Sequence, residues 1–153
     1  MAYYGTLVAA DLYFNERLHI FAWEDATEDQ RERALAEASR RIDRLKFRGE
    51  KADSTQELEW PRANAIGFED DEIPEAVKIA TYESAYALLD GVDPDQEYEN
   101  LAAVAEGYSS ARTTYSRTTV PEHFVAGIPS ALAWRYLKPL LGNTRGIRLS
   151  RVS

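Results

Sequence analysis

Thr27 and Gln30 stand three residues apart at the head of a stretch in which Leu35, Ala38, Ile42 and Leu45 recur at intervals of three and four. A threonine hydroxyl that accepts from the third amide, answered by a glutamine that reaches back to the cap, closes a capping box. The spacing that follows lays one apolar stripe along a helix. It predicts a helix from Thr27 to near Lys46, ahead of Gly49, with Glu28, Asp29, Arg31, Glu32, Arg33, Arg40 and Arg41 mostly left to water or partners. A stripe of this kind has to be covered by other elements, so the chain is committed to packed helices.

Further helices follow from the same reasoning. Ile73-Pro74-Glu75 predicts a second start, with Pro74 suited to the first turn and Glu72 and Glu75 near the positive end of the dipole; the helix runs to Leu89, before Gly91. Val77, Ala80, Ser84 and Leu88 mark one face and Ile79, Tyr82, Tyr86 and Leu89 a second, so either both faces pack internally or one meets a neighbour. Ser130 caps a last helix carrying Leu132, Ala133, Tyr136, Leu137, Leu140 and Leu141, with Trp134 on its flank; Pro139 makes its final turn irregular and Gly142-Asn143 closes it. Leu7 to Phe14 reads as a short helix or an extended arm, with Tyr13, Phe14, Phe21 and Trp23 expected to supply large buried surface; Asp93-Pro94 opens a short helix reaching Leu101. Val104 to Val120, rich in Ser, Thr and Tyr, reads as an exposed hairpin or loop. Phe47 to Asp71 is a connection of 25 residues without a sustained period, where most connections have about 4 to 6. The expected fold is mainly α: a small helical bundle over residues 1–143 with a long central loop and an extended or hairpin segment, then an extended basic arm over 144–153.

The chemistry available to such a chain is narrow. At 153 residues it fits one domain, and with no cysteine it has no disulfide, no thiolate zinc site and no thiol nucleophile. Twenty-six acids against 18 bases give −8, which opposes phosphate-driven binding. No apolar run approaches the roughly 20 residues of a membrane span, and Met1 to Thr6 lacks the basic start of a signal peptide, so a soluble protein made in the cytoplasm is expected. His19 and His123 lie outside any nucleophile or ligand pattern. Glu69-Asp70-Asp71-Glu72 lacks the alternate spacing and glycine of a calcium loop and reads as a solvated charge run; the eight glycines are scattered and build no phosphate loop. The expectation is therefore a protein without catalytic residues, cofactor or metal. The last ten residues carry Arg145, Arg148 and Arg151 and no acid, +3 against −11 for the first 143. In Ile147-Arg148-Leu149-Ser150-Arg151-Val152 charge and aliphatic groups interleave as in an extended strand; such an arm can touch phosphate or an acidic groove on another protein, and its sparse charge favours the protein.

Ile42-Asp43, then Phe47-x-Gly49, then Gln56-Glu57-Leu58-Glu59-Trp60-Pro61-Arg62, then Ile73-Pro74 form an order that resembles a family of tailed-bacteriophage head-to-tail connectors, often labelled DnaT-like single-stranded-DNA-binding proteins. The similarity runs from about Ala9 to Leu141, and Gln56, Leu58, Trp60, Pro61 and Arg62 are its specific part. The resemblance implies a structural virion protein: a helical adaptor whose copies, commonly twelve, form a ring below the portal. Such a ring joins capsid to a tail or stopper protein at the neck and passes the genome without binding it specifically. On that footing Arg145, Ile147, Arg148, Leu149 and Arg151 are expected to touch the portal, and Tyr82 and Tyr86 to meet Arg40 and Arg41 of the next copy. Trp60 either pins the loop to its own core or reaches the portal. The alternative is a single-stranded-DNA-binding replication accessory, which needs a basic groove with stacking aromatics.

Overall fold

The computed structural model describes residues 1–111 and 120–142. Helix α1 (Leu7–Asn15) starts where the Thr6 hydroxyl accepts from the Ala9 amide, which settles the N-terminal segment as helix. A short α2 (Phe21–Asp25) leads into α3 (Glu28–Ile42). There both halves of the capping box are formed, Thr27 Oγ1 accepting from the Gln30 amide at 3.1 Å and Gln30 Oε1 from the Thr27 amide at 2.9 Å. A cap of this kind is worth about 1 kcal/mol. The helix ends at Ile42, four residues short of the expected Lys46, because the chain turns to deliver Phe47 to the core.

The connection beyond α3 is organised. Phe47 forms a β-bridge with Leu141, and β1 (Glu50–Lys51) pairs antiparallel with β2 (Arg62–Ala63), Glu50 opposite Ala63. Gly49 takes φ +76°, and a Cβ there would collide with the Ala63 carbonyl, so the tight return of this ladder admits only glycine.

Helix α4 (Glu75–Leu89) is the axis of the molecule, packed against α3 on one side and α7 (Ala131–Leu137) on the other. Both of its apolar faces are used internally: Val77 and Ala80 enter a cluster with Tyr4, Ile42, Trp60, Ile128 and Leu137, while Tyr82 and Ala85 enter a second with Phe14, Trp23, Leu35 and Ala38. Gly5, at φ +78°, passes so close to the Tyr82 ring that a side chain there would clash.

After α4, the Asp93 carboxylate accepts from the Asp95 amide at 3.0 Å and starts α5 (Pro94–Ala111). This helix is longer than expected. Val104–Ala111, read from the sequence as extended, continues it, because a nucleated helix adds residues such as Ala102, Ala103, Ala105 and Glu106 at little cost. Residues 112–119 of that expected hairpin, and the arm 144–153, lie outside the described residues. Helix α6 (Glu122–Val125) is short. Ser130 caps α7 as expected, its hydroxyl accepting from the Ala133 amide, and Pro139 turns the last residues, Lys138–Leu140, into a 3-10 turn.

One polar junction ties the N-terminus to both α3 and the loop. The Tyr4 hydroxyl donates to the Asp43 carboxylate and accepts from the Trp60 amide at 3.1 Å, while the Tyr4 amide donates to Ser39 Oγ at 3.0 Å. Burial raises the Asp43 carboxyl above its ordinary range, partly countered by the Tyr4 bond, and burial with the Asp43 charge holds the Tyr4 phenol well above its usual 10. A phenol raised in the folded state contributes stability that is intact below pH 10 and lost progressively above it, since the unfolded chain releases the proton and the folded chain keeps it. Urea titrations between about pH 8 and pH 11 are expected to show stability falling with alkalinity. Tyr4→Phe is expected to flatten that slope and to cost about 1–3 kcal/mol at neutral pH by leaving Asp43 without its donor.

Candidate functional site

The Gln56-to-Arg62 motif builds a braced loop. Gln56 Nε2 donates to the carbonyls of Leu58 at 2.8 Å and Pro61 at 2.9 Å, while its Oε1 accepts from the Asp53 amide at 3.1 Å. An amide side chain has donors and an acceptor at one end, so glutamine closes both sides of the turn. Leu58 packs partly buried against the loop-side cluster. Trp60 is buried and meets Phe47 and Phe68 edge to face at 5.4 and 5.8 Å between ring centres. Of its two expected roles the structure has the first: the ring pins the loop to its own core. Arg62, also buried, spreads its fork over the carbonyls of Arg48 at 2.8 Å and Gly49 at 2.7 Å and over the Glu59 carboxylate at 2.7 Å.

The residues expected at a ring interface sit elsewhere than the surface pattern implied. Tyr82 is 3% exposed and Tyr86 is partly buried, its hydroxyl donating to the His19 carbonyl at 2.6 Å under the Arg17 guanidinium. Tyr82 is enclosed by the fold, which leaves it little to present to another copy, while Leu88 and Leu89 at the end of α4 stay partly exposed. Arg41 points inward too, donating to the Gly127 carbonyl at 3.2 Å and lying 3.4 Å from Glu37. Arg40 is exposed. The expected portal-contacting residues Arg145, Ile147, Arg148, Leu149 and Arg151 lie outside the described residues.

Histidines and acids occupy structural positions. His123 Nδ1 lies 2.8 Å from the Ile128 carbonyl, and His19 is exposed in a left-handed turn at φ +59°. In the 69–72 charge run Glu72 accepts from the Glu69 amide and Asp70 from the Asn64 amide, closing local turns. Among the described residues no group of three His, Asp or Glu is placed to hold a metal. The most enclosed carboxylate is Glu83, 2% exposed, held by Arg17 at 2.8 Å and the Tyr13 hydroxyl at 2.6 Å. It ties α1 to α4 and opens onto no reactive partner.

What the surface does offer was missed from the sequence. Val8, Leu12, Leu18 and Phe21 are 69, 62, 78 and 69% exposed, Phe21 against the expectation of burial. Val8 and Leu12 stand one turn apart on the outer side of α1, beside a groove shared with Ala9, Tyr13 and Ile79. A single exposed leucine carries no meaning, but four large apolar groups within fourteen residues do. The available signal was Leu7 to Phe14 itself, where apolar residues fall on every side of a helix that has only one face to bury.

Charge is divided as well. Residues 112–119 and 143–153 hold five arginines and no acid, so the described residues hold 13 bases and all 26 acids, a net −13. Arg62→Met is expected to lower stability by about 1–3 kcal/mol, because the bonds of the buried guanidinium to the Arg48 and Gly49 carbonyls and the Glu59 carboxylate are lost. Arg62→Lys should recover less than half, since an ammonium cannot fork; the midpoint of urea unfolding checks both.

Comparison with known proteins adds a family. A family model described as "Putative DnaT-like ssDNA binding protein" matches residues 3–152. Nothing among curated proteins and nothing among solved structures matches the chain.

Proposed function

The chain belongs to the family of putative DnaT-like ssDNA-binding proteins, and we propose for it a role that this description does not name: a structural assembly subunit, the head-to-tail connector of a tailed bacteriophage. In this reading copies of the chain form a ring at the virion neck, between the portal and a tail or stopper protein. The genome passes through without specific contact, and there is no catalytic turnover. The observation that carries it is the exposure of Val8, Leu12, Leu18 and Phe21, four large apolar residues within one short stretch of chain, on a fold whose described residues are strongly acidic. Apolar groups surrounded by acids suit a protein partner and repel a polyphosphate. The connector itself rests on the resemblance of the Gln56-to-Arg62 element and its flanks, and the family description does not name it.

That description favours a second reading, binding of single-stranded DNA. Its sequence support is the pair of acid-free segments, where Arg112, Tyr115 and Arg117 supply the charge and a stacking ring such binding uses. The net −13 of the remaining residues opposes it.

The two readings separate in solution. The connector reading expects mass measurement to show a closed multimer, alone or with purified portal, and expects fluorescent oligo-dT to remain unbound at physiological salt. Tight, salt-sensitive oligo-dT binding by a persistent monomer would establish the second reading instead. Val8→Asp with Leu12→Asp, both at exposed positions, is expected to leave the circular dichroism unchanged while reducing multimer formation at least tenfold.

A further inference from the structure

Between α2, α3 and the C-terminal end of α4 lies an open cleft of about 800 Å³. Ala26, Ala34, Leu88 and Leu89 give it an apolar lining, and Phe21 of the exposed strip belongs to its wall. Its acids are Asp25, Glu37, Asp90 and Asp93, against a single base, Arg33, which is paired with Asp29. Glu37 and Asp93 lie 3.4 and 3.9 Å from Arg41; Asp25 and Asp90 form no ion pair among the described residues. The cleft thus mixes polar and apolar surface, with the aliphatic groups of Leu88 and Leu89 set among acids. What matches it is a segment of small aliphatic side chains interleaved with guanidinium groups and free of acids.

This chain carries such a segment. Residues 144–153 hold Arg145, Arg148 and Arg151 between Ile147, Leu149 and Val152, with no Asp or Glu. We propose that the cleft of one copy receives residues 144–153 of a neighbouring copy, arginines toward Asp25 and Asp90 and aliphatic groups toward Leu88 and Leu89. The described residues end at Gly142, whose amide donates to the Lys46 carbonyl just beyond α3. Eleven further residues span up to about 36–40 Å when extended, ample to reach an adjoining subunit. An arm and a receptor at different places on one chain make a heterologous contact, which closes into a ring when repeated. The choice of a neighbour over the chain's own cleft rests on the ring reading above.

The absence of cysteine makes the contact trappable. In the full-length chain, Ala26→Cys with Leu149→Cys is oxidised and run on a denaturing gel with and without reductant. The expected result is a reducible ladder extending beyond the dimer, while either single variant gives dimers at most. Asp25→Lys with Asp90→Lys, added to the pair, should cut the ladder at least tenfold, and Arg148→Glu with Arg151→Glu should restore it. An intramolecular disulfide in a monomer overturns the proposal, as do trapping no greater than in the single variants and a ladder indifferent to the charge reversals. In those cases the mass of the untreated wild-type chain separates the two ideas. A multimer overturns the arm-in-cleft contact alone, and a monomer with and without portal overturns the ring as well.

Discussion

Enclosure of α4 is the constraint on which the rest of the molecule depends. A helix apolar on both sides cannot sit at the edge of a small fold without leaving one side in water, so it becomes the axis and α3 and α7 become its walls. Its N-terminal half belongs to the cluster that holds the loop and the last helix; its C-terminal half belongs to the cluster that holds α1, α2 and α3. Neither cluster is complete without it. Exposed ion pairs such as Lys138 with Glu122 add little to this arrangement, because water screens them.

Around that axis the long connection is held by a few directional polar contacts. Tyr4 brings the N-terminus, Asp43 at the end of α3 and the Trp60 backbone to one point, and Arg62 gathers the carbonyls of Arg48 and Gly49 with the Glu59 carboxylate. Each of these groups is withdrawn from water, so each has a large cost if its partner is lost and little tolerance for substitution. The residue types of the Gln56-to-Arg62 element follow from this geometry: an amide to close a turn, an indole to fill the core, a fork to hold two carbonyls. The Gln56-to-Arg62 element is therefore architectural.

The rest of the chain divides by charge and polarity. The described residues carry a net −13, while the segments 112–119 and 143–153 carry only arginines. Four of the exposed apolar groups, Val8, Leu12, Leu18 and Phe21, fall in α1, α2 and the turn between them, where Phe21 also borders the acidic cleft; Ile66 and Val125 are exposed elsewhere. The assembly role proposed above would use such a division, because attraction and repulsion together set which surface meets which.

Local punctuation was legible in the residues themselves: the box at Thr27 and Gln30, the cap at Ser130, the helix start at Asp93 and the irregular turn at Pro139 all stand where the sequence places them. Each is settled by hydrogen bonds or ring sterics within three or four residues, so no distant part of the chain has a say. Three matters were decided only in three dimensions: that Tyr82 and Tyr86 serve the interior, that α5 continues to Ala111, and that Val8 and Leu12 are the apolar residues left outside. An apolar face has no preference for the neighbour that covers it. Which face is covered depends on elements dozens of residues away, and the pattern of one helix does not encode them.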